Sequence, residues 1–416
     1  MEQHFTSQDL EAFAGGALPK EKARAVVAHF LRGCSTCQAR SAALWHPREA
    51  VSEDAYDAVF DRVLAASRDR SAQVSSLRPL QEQAGVSAEV EGPELVEALL
   101  ERAWALRHED LAGMRRTARL SVLAANGLSR KIYGASKVAD IRCRASAAYG
   151  NACRIAGELD EAQQALDRAA DLLAKGTGDP LIRAQLYEFQ ASLEAARGHF
   201  VLALTALDAA HAIHLERGDR HMAGRALIAK GLHTGRTGQP REASRLTQQG
   251  LEMVDEARDP GLVLSAIHNQ LWFLVESGRP REARSLLGAH RDRLATGELQ
   301  RLDLLWLEGR IKIGLRNEAG ALRDLEAAEV GFAATGRRSR AACVKLDQAA
   351  IHLLQGDSAQ ALALVRAAEE ALSQIGTSQS ILMALAFLRQ TLTQREVSAQ
   401  FVLRLANVVR RGQREA

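Results

Sequence analysis

The sequence predicts an all-α protein, and three observations carry the prediction. Alanine and leucine recur throughout, while Phe, Tyr and Trp together make up only 4% of the chain. That mix packs helices closely, whereas sheets favour β-branched and aromatic side chains. A glycine followed five residues later by an alanine returns along most of the chain at an almost constant interval. The composition, 47% hydrophobic and 25% charged, excludes wholesale disorder. At 416 residues the chain exceeds one ordinary domain. Stacking like units lets such a chain bury apolar surface without enlarging a single core.

The elements follow in order. Residues 1–48 form a compact helical segment that ends in a cysteine pair. Residues 49–92 carry eight acidic residues besides Glu49 against four arginines, and they read as an acidic linker with a short helix near Asp54–Ala66. The linker makes residues 1–48 a separable unit, with the linker as the first site of proteolysis. Residues 93–138 form a degenerate helical capping unit, 139–376 the repeats, and 377–416 a closing helix pair.

The repeat is defined by Gly157/Ala162, Gly198/Ala203, Gly238/Ala243, Gly278/Ala283 and Gly356/Ala361, with a further copy at Ala321 in which Arg316 stands where the glycine belongs. The alanines step by 41, 40, 40, 38 and 40 residues, a periodicity that marks a repeat architecture. Each unit reads as two helices. The glycine takes the left-handed conformation that closes the first helix. The proline at 240 and 280 cannot continue that helix but suits the start of the next. The alanine, an aliphatic residue four later and a small residue seven later, as in Ala162, Leu166 and Ala169, line the face on which the two helices meet.

This pattern resembles tetratricopeptide (TPR) repeats. The small residue in the first helix, the glycine, the alanine, the bulky residue and the second alanine of that family fall on Gly150, Gly157, Ala162, Leu166 and Ala169. The period of about 40 departs from the family's 34, which implies helices or loops longer by about a turn. The resemblance implies a right-handed helical-repeat superhelix with a concave groove that takes a protein or peptide.

Chemistry is concentrated in the segment His29–Cys37. Cys34 and Cys37 in a CxxC turn direct both sulfurs at one point, and His29 lies one helical turn upstream. Such a set suits tetrahedral Zn²⁺ with nitrogen and sulfur ligands. His4 precedes a helix–turn–helix that returns the chain to its start, which places it to complete a His₂Cys₂ site. With four ligands and no adjacent glutamate base, the zinc is structural, one per chain. A redox pair and a metal-free degenerate domain are the alternatives, although no βαβ pattern surrounds the CxxC.

The same segment resembles the zinc-binding anti-sigma factor domain. The family's early ligand, acidic helix, glycine turn, second helix and cysteine pair correspond to His4, SQDLEAFAGG, ALPKEKARAVVAH and CSTC. The departure is His-x4-Cys in place of His-x3-Cys, with Gly33 as the extra residue. The resemblance implies a sigma factor or another transcription regulator as partner. A general assembly scaffold and a peptide or small-molecule sensor are the competing readings.

Other features narrow the function. Net charge is +3, too balanced for bulk binding to nucleic acid or membrane. No basic, apolar leader opens the chain, and the longest apolar run is Ile381–Leu388, against roughly 20 residues needed to span a bilayer. A cytoplasmic location is expected. No phosphate-binding loop, nucleophile elbow or HExxH is present, so no enzyme is expected. Cys143, Cys153 and Cys343 read as packing thiols, and Trp45 as core of the small domain. His211, His214 and His221, and the arginines at 115, 116, 119, 404 and 411, read as surface or groove residues.

Overall fold

The computed structural model describes residues 4–14, 81, 84–87, 89–375, 377, 379–393 and 397–412, together with 19, 22, 25–26, 29, 36–37 and 40. Among these residues there is no strand. Most of the acidic linker, 49–80 included, lies outside them. The chain divides into two compact units. The first comprises residues 50–234 and 246–258, the second residues 1–49, 235–245 and 259–416.

Helix α1 (Ser7–Ala14) belongs to the second unit. The first unit opens with α2 (Gly92–Ala105), which has Pro93 in its first turn, and a short 3₁₀ turn leads to α3 (Leu111–Gly127). Asp110 caps α3 by accepting from the Gly113 N–H at 2.8 Å. Ala84, Val86 and Val90 pack on the core of α2 and α3. Helix α4 (Arg130–Tyr133) precedes α5 (Ala135–Ala156), whose 22 residues run through the expected 138/139 boundary. The pairs follow: α5 with α6 (Leu159–Leu173), then α7 (Pro180–Ala196) with α8 (Phe200–Glu216). Helices α9 (Arg220–Arg236) and α10 (Pro240–Leu251) each contribute residues to both units.

The second unit continues with α11 (Pro260–Glu276) and α12 (Pro280–Leu294), α13 (Glu298–Gly314) and α14 (Glu318–Ala334), and α15 (Arg338–Leu354) and α16 (Ser358–Gln374). Helices α17 (Gln379–Thr393) and α18 (Ala399–Gly412) close it.

Burial follows the repeat. Ala162, Ala203, Ala243, Ala283, Ala321 and Ala361 are all 0% exposed, so each repeat alanine sits in a helix–helix contact. Their partners Leu166, Leu207, Leu325 and Val365 are buried as well. At Gly150 an added Cβ would lie 3.0 Å from Leu166 Cγ and 3.1 Å from the Ala162 carbonyl oxygen, which explains the small residue of the first helix. The helix-closing glycines take the left-handed conformation, with φ of +88° at Gly157 and +83° at Gly356. Arg316 does the same at φ +64° and is the one non-glycine with positive φ among the described residues.

The second unit adds a buried polar core. Arg310 donates to Asp347 Oδ1 at 2.5 Å and Trp306 Nε1 donates to Oδ2 at 2.7 Å. Rings of Trp272, Trp306 and Phe332 meet edge to face at 4.9 and 6.0 Å between centroids. Helix α18 departs from a simple closing pair, because it lies more against α15 than against its partner α17. None of the described helices is long and apolar enough to cross a membrane.

Candidate functional site

Three of the four expected metal ligands converge. One ligand atom each of His4, His29 and Cys37 lies within 4.8 Å of the others, and Cys37 Sγ is 3.8 Å from His4 Nδ1. Tetrahedral zinc with nitrogen and sulfur ligands holds neighbouring donor atoms roughly 3.5 Å apart, so the set fits that ion. Phe5 stacks edge to face on His29 at 5.3 Å. His29 and Cys37 are buried while His4 is exposed. Cys34 and Trp45 lie outside the described residues. The cluster does not stand apart from the helical array: Leu10, Val26 and Cys37 share a core with Met383, Ala386 and Phe387 of α17. The apolar positions of α1 cannot stay in water, and α17 supplies the surface that covers them.

The first unit holds an open pocket of about 560 Å³ lined mainly by the first helices of successive pairs, the side we call its inner face, with His214 of α8 at its edge. Its walls include Trp104 at the end of α2, Ile182 and Phe189 on α7, and Met222 and Arg225 on α9. Trp104 is 42% exposed, so part of its ring is open at the pocket. Arg107 covers one approach to its ring at 4.3 Å, and Arg225 lies 5.9 Å from the centroid. The other charges at the pocket are mostly matched. Arg144 pairs with Glu97, Arg258 reaches Asp219 at 3.4 Å, and His214 Nε2 donates to Glu188 at 3.1 Å. A hydrogen bond from the Met222 N–H holds the Asp219 carboxyl below the usual carboxylate range. Arg225 has no carboxylate partner among the described residues. The pocket therefore offers an aromatic plate, an apolar wall and one open cation.

The sequence singled out neighbours of this pocket but not its centre. Trp104 falls one residue past the buried stripe of Val96, Leu99 and Ala103, and that offset is the signal that points it away from the core. The three histidines do not meet. His214 joins Glu188, His211 donates to the Ala223 carbonyl at 2.9 Å, and His221 Nδ1 accepts from the Asp255 N–H at 3.0 Å. Burial pushes the Cys143 thiol up to about 11 and the Cys153 and Cys343 thiols up to about 12, as inert packing residues require. Arg115 pairs with Glu158, and Arg116 lies 3.5 Å from Asp110. Arg411 is a correction, because its side chain is only 17% exposed and faces Glu276 rather than solvent.

No family model matches the chain, and no curated protein matches its sequence. Solved structures match in fold. A Rap protein complexed with competence and sporulation factor aligns with a TM-score of 0.53 and 12% identity, over 76% of this chain and 98% of its own. A tetratricopeptide repeat protein from Parabacteroides merdae aligns at 0.43 and 15%, over 71% and 98%. The apo form of the quorum sensor NprR from B. thuringiensis aligns at 0.48 and 13%, over 85% and 99%. At such identities the likeness is one of fold, and the Rap protein carries it. The chain has a TPR-like helical-repeat fold.

Proposed function

We propose that this chain is a binding protein rather than a catalyst, and that it takes a peptide or protein segment in the first unit's pocket. The observation that carries the reading is the exposed Trp104 beside the apolar wall of Ile182 and Phe189 and the open cation of Arg225. Such a site takes a bulky apolar side chain on the ring and a carboxylate on the guanidinium. The Rap structure of the same fold is a complex with competence and sporulation factor, which supports the use of such an array to hold a second molecule. The sigma factor implied by the anti-sigma resemblance has no counterpart in the fold comparison and is not part of this proposal.

Selection of a random peptide library on the immobilised full chain tests the reading. Enriched peptides should carry an aromatic or large aliphatic residue near an acidic group, and Trp104→Ala and Arg225→Ala should each weaken them at least tenfold. Equal affinity for wild type and both variants refutes the site.

A structural zinc on His4, His29, Cys34 and Cys37 belongs to the same proposal. It would hold the N-terminal segment in the shape that docks on α17, since metal binding in small sites supplies folding energy. Metal analysis of protein purified under reducing conditions should give about one zinc per chain. Cys37→Ser should lose it and Cys343→Ser should keep it, and absence of zinc from the wild type overturns the assignment.

A further inference from the structure

We propose that the inner face of the second unit is a second recognition site, shaped for an amphipathic helix with an Asn-x-x-Arg-Arg ending, and that α18 is its resident occupant in cis. This inference does not rest on the first unit's pocket. Its receptor groups come from the first helices of three successive pairs: Glu276 of α11, Arg310 of α13 and the part of α15 that packs on α18. The occupant is one continuous helix. That division of labour is the layout of a helix laid into a groove.

The apolar half of the fit is a stripe. Val402, Leu405, Ala406 and Val409 are buried at helical spacing of three and four, so one face of α18 is spent on the array. The polar half fixes register. Arg310 donates to Asn407 Oδ1 at 2.5 Å with the guanidinium nitrogen that Asp347 leaves over. Three residues on, Arg410 pairs with Glu276 and lies over the Trp272 ring at 4.1 Å. Arg411 Nη1 is 3.6 Å from Glu276 Oε2 and donates to the Gly235 carbonyl at 3.3 Å.

Glu276 gives the assignment its direction. Its side chain is 2% exposed, and among the described residues its cationic partners are the two arginines of α18. A carboxylate buried to that degree needs a cation, and among the described residues its own helix α11 supplies no ion-pair partner. Glu276 lies 134 residues from Arg410 in sequence, so the pairing is a contact between a finished face and a separate helix. Tethering gives α18 an effective concentration in the millimolar range. A free helix of the same pattern must compete against that, and weakening the cis clamp opens the site.

A fluorescent peptide of residues 397–412 added to the full-length protein is the probe. Wild type should bind it weakly, and the double variant Arg410→Ala with Arg411→Ala should bind it at least tenfold more tightly. Adding Glu276→Gln to the double variant should return binding to the wild-type level or below. Trp104→Ala should leave all three results unchanged, which separates this site from the first unit's pocket. Equal binding to wild type and a folded double variant overturns the proposal. Hydrogen exchange on the wild type keeps the test open should the double variant fail to fold. Excess peptide should speed exchange of the α18 amides at least tenfold and leave α14 unchanged, and unaltered exchange in α18 refutes displacement.

Discussion

The two units are built from the same kind of helix pair, with the repeat alanine at 0% exposure in the second helix of every pair from α5 to α16, yet they use their inner faces in opposite ways. In the first unit Asp219 and Glu188 are matched locally by Arg258 and His214, and what remains is an open pocket with Trp104 and Arg225. In the second unit the cations that Glu276 finds among the described residues are on α18, and that helix covers the face. The framework positions lie between helices, so they fix spacing without constraining the chemistry of the inner face. One repeat can therefore present an open site in one place and a covered one in another.

The largest effects test the shared framework. Ala203→Arg in the first unit and Ala283→Arg in the second each place an unpaired charge in a helix–helix contact that is 0% exposed. Each should cost about 4 kcal/mol or more of its unit's stability, read by denaturant titration. Arg241→Ala, at an exposed position, should stay within about 0.5 kcal/mol. If one alanine tolerates arginine and the other does not, the two units do not share a frame.

The next effects separate the two faces. Asp347→Ala removes the partner of Arg310, which is 4% exposed, and leaves a buried guanidinium without its carboxylate. The loss should be about 3–5 kcal/mol by thermal or denaturant unfolding. Trp104→Ala removes a side chain that is 42% exposed and should change stability by less than about 1 kcal/mol while abolishing peptide capture. A large stability loss at Trp104 would make the ring a core residue and erase the contrast.

Much of the fold was written in local spacing. The alanine and glycine periodicity located every pair from α5 to α16, because those contacts lie within about 40 residues and repeat. The approach of His29 and Cys37 was legible for the same reason, since they are near neighbours in sequence, and His4 joins them from 25 residues upstream of His29. The docking of Leu10 and Val26 on Met383 and Phe387 was not legible, nor was the clamp of Glu276 on Arg410. Contacts that join residues more than a hundred positions apart once leave no period to detect. Arg411 on its own reads as one more solvated cation in a basic helix end.

The smallest effect tests the repeat at its one irregular copy. Arg316 holds φ +64° where its counterparts are glycines, and its backbone bonds are theirs: the Arg316 N–H donates to Ile313 at 3.1 Å and the Asn317 N–H to Lys312 at 2.9 Å. In the regular copy the Gly157 N–H donates to Arg154 at 3.1 Å and the Glu158 N–H to Cys153 at 2.9 Å. The arginine is exposed, so its side chain gives up little on removal. An L-residue in this conformation costs about 1–2 kcal/mol relative to glycine, partly offset by glycine's greater freedom in the unfolded chain. Arg316→Gly should therefore stabilise the second unit by about 0.5–1 kcal/mol. The mirror change, Gly278→Ala, should destabilise by about 1 kcal/mol, and a Cβ there meets nothing within 4 Å, so conformation is the only cost. Opposite signs at the two positions, measured as shifts in the unfolding midpoint, tie Arg316 to the same helix-closing turn as the glycines. A loss of stability on Arg316→Gly would show instead that the arginine side chain holds the turn between α13 and α14.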